Sequence, residues 1–301
     1  MRFLVTGSSG FVGKNLFVEF ENHKDIALTA YDREKEIWPQ LISVDGIIHL
    51  AGKAHDIAQV ADPNAYYVSN TELTISIFDA YIKSSASVFI YFSSVKACAD
   101  KVNDELSESD VPRPQTHYGK SKLLAEQYIL SKPQPEGKRV YILRPSMIHG
   151  PGNKGNLNLL YNFIKRGIPW PLGSFENKRS FCSIDNVVFV LNELLNRSDI
   201  PSGVYNLCDT KPLSTNYVVK VFGEVIGREV PILRVPKFLI KFMAKVGDFL
   251  GSSFNSESLE KLSGSYIVSN KNLINALKVQ LPCDAEAGIR KTMEQLNLKK
   301  N

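Results

Sequence analysis

Thr6-Gly7-Ser8-Ser9-Gly10-Phe11-Val12-Gly13 is the stretch that decides the fold. It follows a short apolar run, Phe3 to Thr6, and leads into an amphipathic one, Phe11 to Glu21, so it reads as a turn between a buried strand and a helix. In that setting the first glycine permits a tight turn, the second lets backbone approach a pyrophosphate, and the third allows close helix–sheet packing. The helix start adds free N–H groups and a positive dipole end, which suit an anion. Asp32 stands 19 residues beyond Gly13, at the end of the next apolar run. A carboxylate there can accept hydrogen bonds from both hydroxyls of an adenosine ribose and repels a 2′-phosphate, so the expected cofactor is NAD. Arg33 beside it keeps NADP open, because its guanidinium could hold that phosphate. The bland alternative is that Asp32 caps a turn and Arg33 is solvated. The cofactor contacts expected from this half of the motif are Gly7, Ser9, Gly10, Phe11, Val12, Gly13, Asp32 and Arg33.

Working outward, strand and helix patterns alternate through the first half of the chain. Strands are expected at Ala27 to Tyr31, Gly46 to Leu50, Val88 to Phe92 and Arg139 to Leu143, with a helical period from Asn64 to Ser84 and a helix starting near His117. That alternation predicts a parallel sheet with helices on both faces. After Pro145 the pattern changes. Gly and Pro cluster at 150–155 and 167–173, a strand is expected at Gly203 to Leu207, and helices at Ser214 to Ile226, 236–250, 270–277 and 284–297. The chain therefore divides into 1–145 and a smaller mixed α/β region, 146–301, some of whose segments could return to the first.

Tyr118-Gly119-Lys120-Ser121-Lys122 puts a tyrosine and a lysine four residues apart, on one face of a helix. A tyrosine near pKa 10 is a poor base at neutral pH, but a nearby ammonium, or a cofactor's positive nicotinamide, favours the phenolate. Tyr118 could then remove a hydroxyl proton while hydride leaves the same carbon. Ser94, which ends a strand, could hydrogen-bond the same oxygen, and Lys122 would tune the tyrosine and anchor the cofactor ribose. Alone, such a pair is more often a surface feature of an ordinary helix. The glycine loop gives it weight.

Composition narrows the class. The 301 residues are 44% hydrophobic and 22% charged, ordinary for a globular enzyme. The net charge of +5 comes from scattered Lys and Arg, without the basic stripe and interleaved aromatics of a nucleic-acid binder. Cys98, Cys182, Cys208 and Cys283 form no CxxC pair and no metal spacing, so no metal site is expected and the thiols read as buried ones in a reducing compartment. No apolar run approaches the ~20 residues needed to span a bilayer. Met1 to Thr6 leads straight into the first turn and leaves no room for a signal peptide, so a cytoplasmic setting is expected. Lys237, Lys241 and Lys245 recur every four residues, with Leu239, Phe242, Met243 and Val246 opposite. This stretch, within 236–250, is read as an ordinary domain helix with solvated lysines, in preference to one that docks on a membrane or a membrane glycosyltransferase.

Taken together, the sequence resembles the extended short-chain dehydrogenase/reductase family, the nucleotide-sugar epimerases and dehydratases. The residues that carry the resemblance are the glycine loop, Asp32, His49-Leu50-Ala51-Gly52, Asn70, Ser93-Ser94, Tyr118 to Lys122, Leu143-Arg144-Pro145, Arg179-Ser180-Phe181 and Asp185-Asn186-Val187, in the family's order over 1–187. Weaker similarity continues to Val268-Ser269-Asn270-Lys271. The resemblance implies a Rossmann domain, a doubly wound parallel sheet, with a smaller C-terminal mixed α/β substrate domain. It implies catalytic roles for Ser94, Tyr118 and Lys122, and further cofactor contacts from Leu50, Ala51, Gly52, Asn70 and Pro145. It also implies a nucleotide-sugar substrate, UDP-linked, held by Arg179 and Asn156 at the diphosphate, with Asn153 lining the cleft and Lys96 facing the substrate. Homodimers through two long Rossmann helices are usual in the family.

Three departures shape the expected reaction. Val95 and Lys96 stand where family dehydratases carry an Asp-Glu acid/base pair. The late Arg-x-Gly-Asp segment of typical UDP-galactose 4-epimerases is absent, and His117 replaces the proline common before the tyrosine. Ser93 to Lys96 is more similar to the polysaccharide-cluster branch, which works on UDP-N-acetylhexosamines or their 4-keto-6-deoxy derivatives. The expected activity is thus an NAD-dependent nucleotide-sugar 4-epimerase. The alternatives are an NAD(P)H-dependent 4-keto-sugar reductase and a non-catalytic nucleotide-binding regulator.

Overall fold

The computed structural model describes residues 1–21, 23–41, 43–54, 62–153, 156–252 and 254–298, and leaves the side chains of Trp38 and Asn156 outside the described residues. The first half alternates as its apolar pattern dictates: β1 (Arg2–Thr6), α1 (Phe11–Phe20), β2 (Ala27–Ala30), α2 (Ile37–Leu41), β3 (Gly46–His49), α3 (Asn64–Tyr67), α4 (Leu73–Lys83), β4 (Val88–Phe92), β5 (Glu105–Leu106), α5 (His117–Ser131) and β6 (Arg139–Pro145). There follow β7 (Met147–His149), α6 (Asn156–Lys165), β8 (Phe181–Ser183), α7 (Ile184–Asn196), β9 (Gly203–Leu207), α8 (Thr215–Ile226), α9 (Lys237–Leu250), α10 (Ser256–Ser263), β10 (Ile267–Val268), α11 (Lys271–Leu277) and α12 (Ala285–Leu298).

Six strands form one parallel sheet in the order β2-β1-β3-β4-β6-β9. Its inner strands are buried on both faces, which is why β3 and β4 read as unbroken apolar runs. Neighbouring residues point to opposite faces. Val5, Ile48, Ile90 and Leu143 pack against Leu16 and Phe20 of α1 and Val187, Leu191 and Leu194 of α7. Leu4, Ile47, Phe89 and Ile142 pack against Ile77, Phe78 and Tyr81 of α4 and Ala125 and Ile129 of α5. The second half of the chain thus supplies the sixth strand and a covering helix, and the two regions interleave.

The rest of the C-terminal region has its own core. Leu160, Tyr161, Val218, Phe222, Ile240, Leu259, Ile289 and Met293 draw α6, α8, α9, α10 and α12 together. Two short parallel pairings, β7 with β8 and β5 with β10, tie this body to the segments leaving the sheet.

The structure departs from the sequence-based expectation in several places. The helix expected from Asn64 to Ser84 is interrupted by a wide π turn at Val68–Glu72. The extra residue turns Asn70 inward, where its side chain binds Lys53 and Ser121, a placement common for such bulges at functional sites. Helices α2, α6, α7 and α10 and the short strands β5, β7, β8 and β10 were not anticipated. Finally, Leu239, Phe242, Met243 and Val246 of α9 are exposed, and the helix packs instead through the narrow strip Ile240, Ala244 and Gly247.

Candidate active site

The glycine loop lies at the carboxyl end of β1, the edge at which open parallel sheets bind ligands. Gly7 has φ +73°, and a Cβ there would lie 2.7 Å from the Ala51 nitrogen. A Cβ on Gly13 would lie 2.5 Å from the Gly7 carbonyl oxygen. Gly10 donates to the Gly7 carbonyl at 3.0 Å and caps α1 with no side-chain bond, so the first-turn N–H groups of α1 are left for an outside acceptor. Ser9 and Gly10 are exposed, and Phe11 and Val12 half-buried. This cradle fits a pyrophosphate, and side chains at Gly7 and Gly13 would close it. Gly13→Ala is expected to cost about 1–3 kcal/mol through this overpacking and to weaken dinucleotide affinity at least as much, measured by thermal melts and by fluorescence titration with NAD.

Asp32 follows β2 and accepts from the Glu34 backbone at 3.0 Å and from Lys35 Nζ at 3.1 Å. Both hold its carboxyl below the ordinary range, the backbone bond most. Asp32 therefore shapes the turn it sits on, and Arg33 is exposed.

β3 ends in a hydrogen-bonded junction. His49 is fully buried, with Nδ1 2.6 Å from the Thr6 hydroxyl and Nε2 2.9 Å from that of Thr74. Thr74 donates its own proton to the Asn70 carbonyl, so the ring must donate through Nε2 and accept at Nδ1. Thr6 in turn accepts from the Ala51 nitrogen at 3.1 Å, and Leu50 donates to the Thr6 carbonyl at 3.2 Å. Asn70 receives Lys53 N–H at 2.8 Å and donates to Ser121 at 2.9 Å. Leu50, Ala51, Gly52 and Asn70 are thus one connected wall. Pro145 ends β6 beside Leu207.

Burial, helped by the Lys122 charge, lowers the His49 pKa from 6.5 to about 3. The folded ring stays neutral while an unfolded one takes a proton below pH 6.5. Stability is therefore present above that pH and is lost as pH falls toward 3, by about 1.4 kcal/mol per unit. Urea unfolding between pH 7 and pH 4 checks this: a His49→Gln variant, weaker at pH 7, is expected to show a shallower acid decline. An unchanged slope would remove His49 as its source.

Ser94 follows β4, and its hydroxyl accepts from the Lys96 nitrogen at 3.2 Å. Thr116 caps α5, accepting from Gly119 at 3.2 Å, and Gly119 lets the helix start lie directly on the Lys96 carbonyl. This contact brings Tyr118 to Ser94. Burial pushes the half-buried phenol above its usual 10, and the hydrogen bond with Ser94 pulls it back in part. Lys122 is buried, donates to the Phe92 carbonyl at 2.8 Å and lies 4.9 Å from the Tyr91 ring centre. Its ammonium also faces Gly52, where an added Cβ would be 3.0 Å away. Burial brings its pKa down to about 8, against an upward pull from Glu126. The sequence led us to expect the lysine to favour the phenolate. In the structure it is directed at the Phe92 carbonyl, and burial and Ser94 govern the phenol.

One turn beyond Lys122, Glu126 forms a buried pair with Arg144: Nε reaches the two carboxylate oxygens at 3.0 and 3.1 Å, and Nη2 reaches Oε2 at 2.5 Å. The Ser93 hydroxyl donates to Glu126 as well. Sequence reading missed this network, although Glu126 lies four residues from Lys122 and Arg144 belongs to a quoted motif.

On the C-terminal side, Lys96 donates to the Asp100 carbonyl at 2.7 Å and lies 4.4 Å from the centre of the Tyr266 ring. Arg179 exchanges backbone hydrogen bonds with Leu213 at 2.8 and 2.9 Å, and its guanidinium donates to the Lys261 carbonyl. Burial lowers the pKa of both Lys96 and Arg179, and repulsion between them adds to the shift at Lys96, as does Lys261. Lys96 and Arg179 therefore gather around Tyr266, while the Lys261 ammonium pairs with Glu257 of its own helix. Neither Lys261 nor Tyr266 was singled out from the sequence. Asn153 sits in a turn, donating to the Gly150 carbonyl at 3.2 Å, and the neighbouring Pro151 accepts from Asn15 of α1. The Asn156 side chain lies outside the described residues.

Comparison with known proteins places the chain in a family. The profile of the NAD dependent epimerase/dehydratase family matches residues 3–208. The chain is 26% identical to a UDP-glucose 4-epimerase of Vibrio cholerae, covering 97% of this chain and 94% of that one. It is 27% identical to a GDP-6-deoxy-D-mannose reductase of Pseudomonas aeruginosa, covering 78% and 83%. Its fold is similar to that of a UDP-glucuronic acid 4-epimerase of Bacillus cereus solved with NAD, with a TM-score of 0.78 over the whole of both chains at 15% identity. With a matched profile spanning the glycine loop, the serine–tyrosine–lysine constellation and the sheet that carries them, the chain belongs to the NAD dependent epimerase/dehydratase family.

Proposed function

We propose that this protein is a nucleotide-sugar 4-epimerase acting on a UDP-linked hexose or N-acetylhexosamine. The observation that carries the reading is the meeting of Tyr118 with Ser94, beside Lys122 and the glycine cradle, where Val95 and Lys96 offer no acid/base pair for dehydration. The similarity to a UDP-glucose 4-epimerase over nearly the whole of both chains supports it. The residues that would hold NAD are Gly7 to Gly13 at the pyrophosphate, Asp32 at the adenosine ribose, and Asn70 and Lys122 at the loop after β3. When bound there, NAD supplies a reversible hydride acceptor next to the sugar. Tyr118 takes the 4-hydroxyl proton as the C4 hydride departs and returns it after the 4-keto sugar has turned over. Ser94 holds the same oxygen in line with the phenol. Lys96 and Arg179 gather positive charge suited to a diphosphate. Arg179→Ala is expected to raise KM about tenfold or more with a smaller change in kcat, read from initial rates.

A second reading, an NAD(P)H-dependent 4-keto-sugar reductase, is favoured by the upward shift of the Tyr118 phenol, since a protonated phenol suits proton donation to a ketone. Proton NMR of the purified protein with UDP-GlcNAc or UDP-glucose, without added cofactor, separates the two. A new anomeric signal with a changed H4 coupling supports the epimerase. Unchanged spectra from protein shown to bind NAD(P)H support the reductase.

A further inference from the structure

Helix α9 carries more exposed apolar surface than a domain helix needs. Phe249 is 91% exposed, Phe238 69% and Phe242 65%, and Met243, Val246 and Leu250 join them. At about 100° per residue, Ile240, Ala244 and Gly247 form the strip that meets the protein core. Lys237, Lys241 and Lys245 form a second stripe along one side of that strip, all exposed, and the phenylalanines lie beyond it. The only acid of the helix, Asp248, is engaged in capping the next one: its carboxylate accepts from the Ser256 nitrogen at 2.8 Å and the Ser256 hydroxyl at 2.5 Å. The upstream Ile232 and Leu233 are exposed too.

We infer that α9 docks this protein on the surface of an anionic lipid bilayer, lying in the plane of the headgroups. A protein partner is ordinarily met by an apolar centre with a polar rim around it. Here the apolar arc is flanked on one side by the lysine stripe, whose single acid, Asp248, is tied to Ser256, and on the other runs into the protein body. That layout fits phenylalanines entering the acyl boundary while the lysines stay level with lipid phosphates. No helix among the described residues is long and apolar enough to cross a membrane, so the association is peripheral. Through Ile240, Ala244 and Leu259, α9 packs on α10, whose Lys261 carbonyl accepts from Arg179, so the docking helix adjoins the substrate side of the site through α10.

Co-sedimentation of the full-length protein with phosphatidylcholine vesicles, with and without phosphatidylglycerol, tests this without reference to catalysis. The expected result is binding to the anionic vesicles that weakens with salt. Lys237→Glu/Lys241→Glu/Lys245→Glu should reduce it about a hundredfold, and Phe242→Asp/Phe249→Asp about tenfold or more. Both variants change only exposed side chains, and unchanged melting temperatures confirm that they fold. Three outcomes overturn the inference: no binding to anionic vesicles, binding that neither variant alters, or a self-associated assembly in sedimentation equilibrium that Phe242→Asp/Phe249→Asp dissolves, which would give the face to a second copy of the chain.

Discussion

Tyr118→Phe is expected to lower turnover by about 10²–10⁴-fold while leaving NAD affinity within a few-fold. The substitution removes one oxygen and little else. The ring stays between Ser94 and Tyr66, whose ring centre is 6.3 Å away, and α5 keeps its Thr116 cap and its Gly119 contact with Lys96. What is lost is the group that carries the 4-hydroxyl proton. Single-turnover rates, with NAD titration as a control, separate the two effects. A variant that turns over normally would give the proton transfer to another group. Because burial raises the phenol and Ser94 lowers it, Ser94→Ala should move the acid limb of the wild-type pH–rate profile to higher pH as well as slowing the reaction.

The largest expected effect on stability lies behind the site. Arg144→Met leaves the Glu126 carboxylate buried without its ion pair, at a cost of about 3–5 kcal/mol. Glu126 would keep the Ser93 hydroxyl bond alone. The charge would also weigh more on Lys122, whose pKa burial brings down to about 8 against the upward pull of Glu126. Urea unfolding measures the loss. The double change Glu126→Leu/Arg144→Met removes both charges and is expected to recover most of it, as buried pairs replaced by apolar groups commonly do. If the single variant were as stable as the wild type, the pair would have no structural weight.

The sheet was legible because buried parallel strands announce themselves as apolar runs, and Val88–Phe92 and Gly203–Leu207 are found where they were expected. The glycine loop was legible for a steric reason: Gly7 and Gly13 stand where a Cβ would strike backbone. The π turn at Val68–Glu72 was hidden, since the partner of the Asn70 side chain it turns inward, Ser121, lies 51 residues away. The Glu126–Arg144 pair and the gathering of Lys96 and Arg179 around Tyr266 were hidden likewise, because each joins side chains from elements that only the fold brings together. For α9 the helix could be read from its period, but a period reports which residues share a face and says nothing of what covers that face. Its exposed phenylalanines emerged only with the packing.

The most direct measurement of the central claim, reversible hydride transfer at C4, uses UDP-N-acetylglucosamine carrying deuterium at C4, incubated with the purified protein and analysed by mass spectrometry and proton NMR. The expected result is a C4 epimer that retains the deuterium at C4, formed more slowly than from unlabelled sugar. An epimer whose C4 deuterium has been replaced from water would contradict hydride transfer and require a different chemistry at the Tyr118 site.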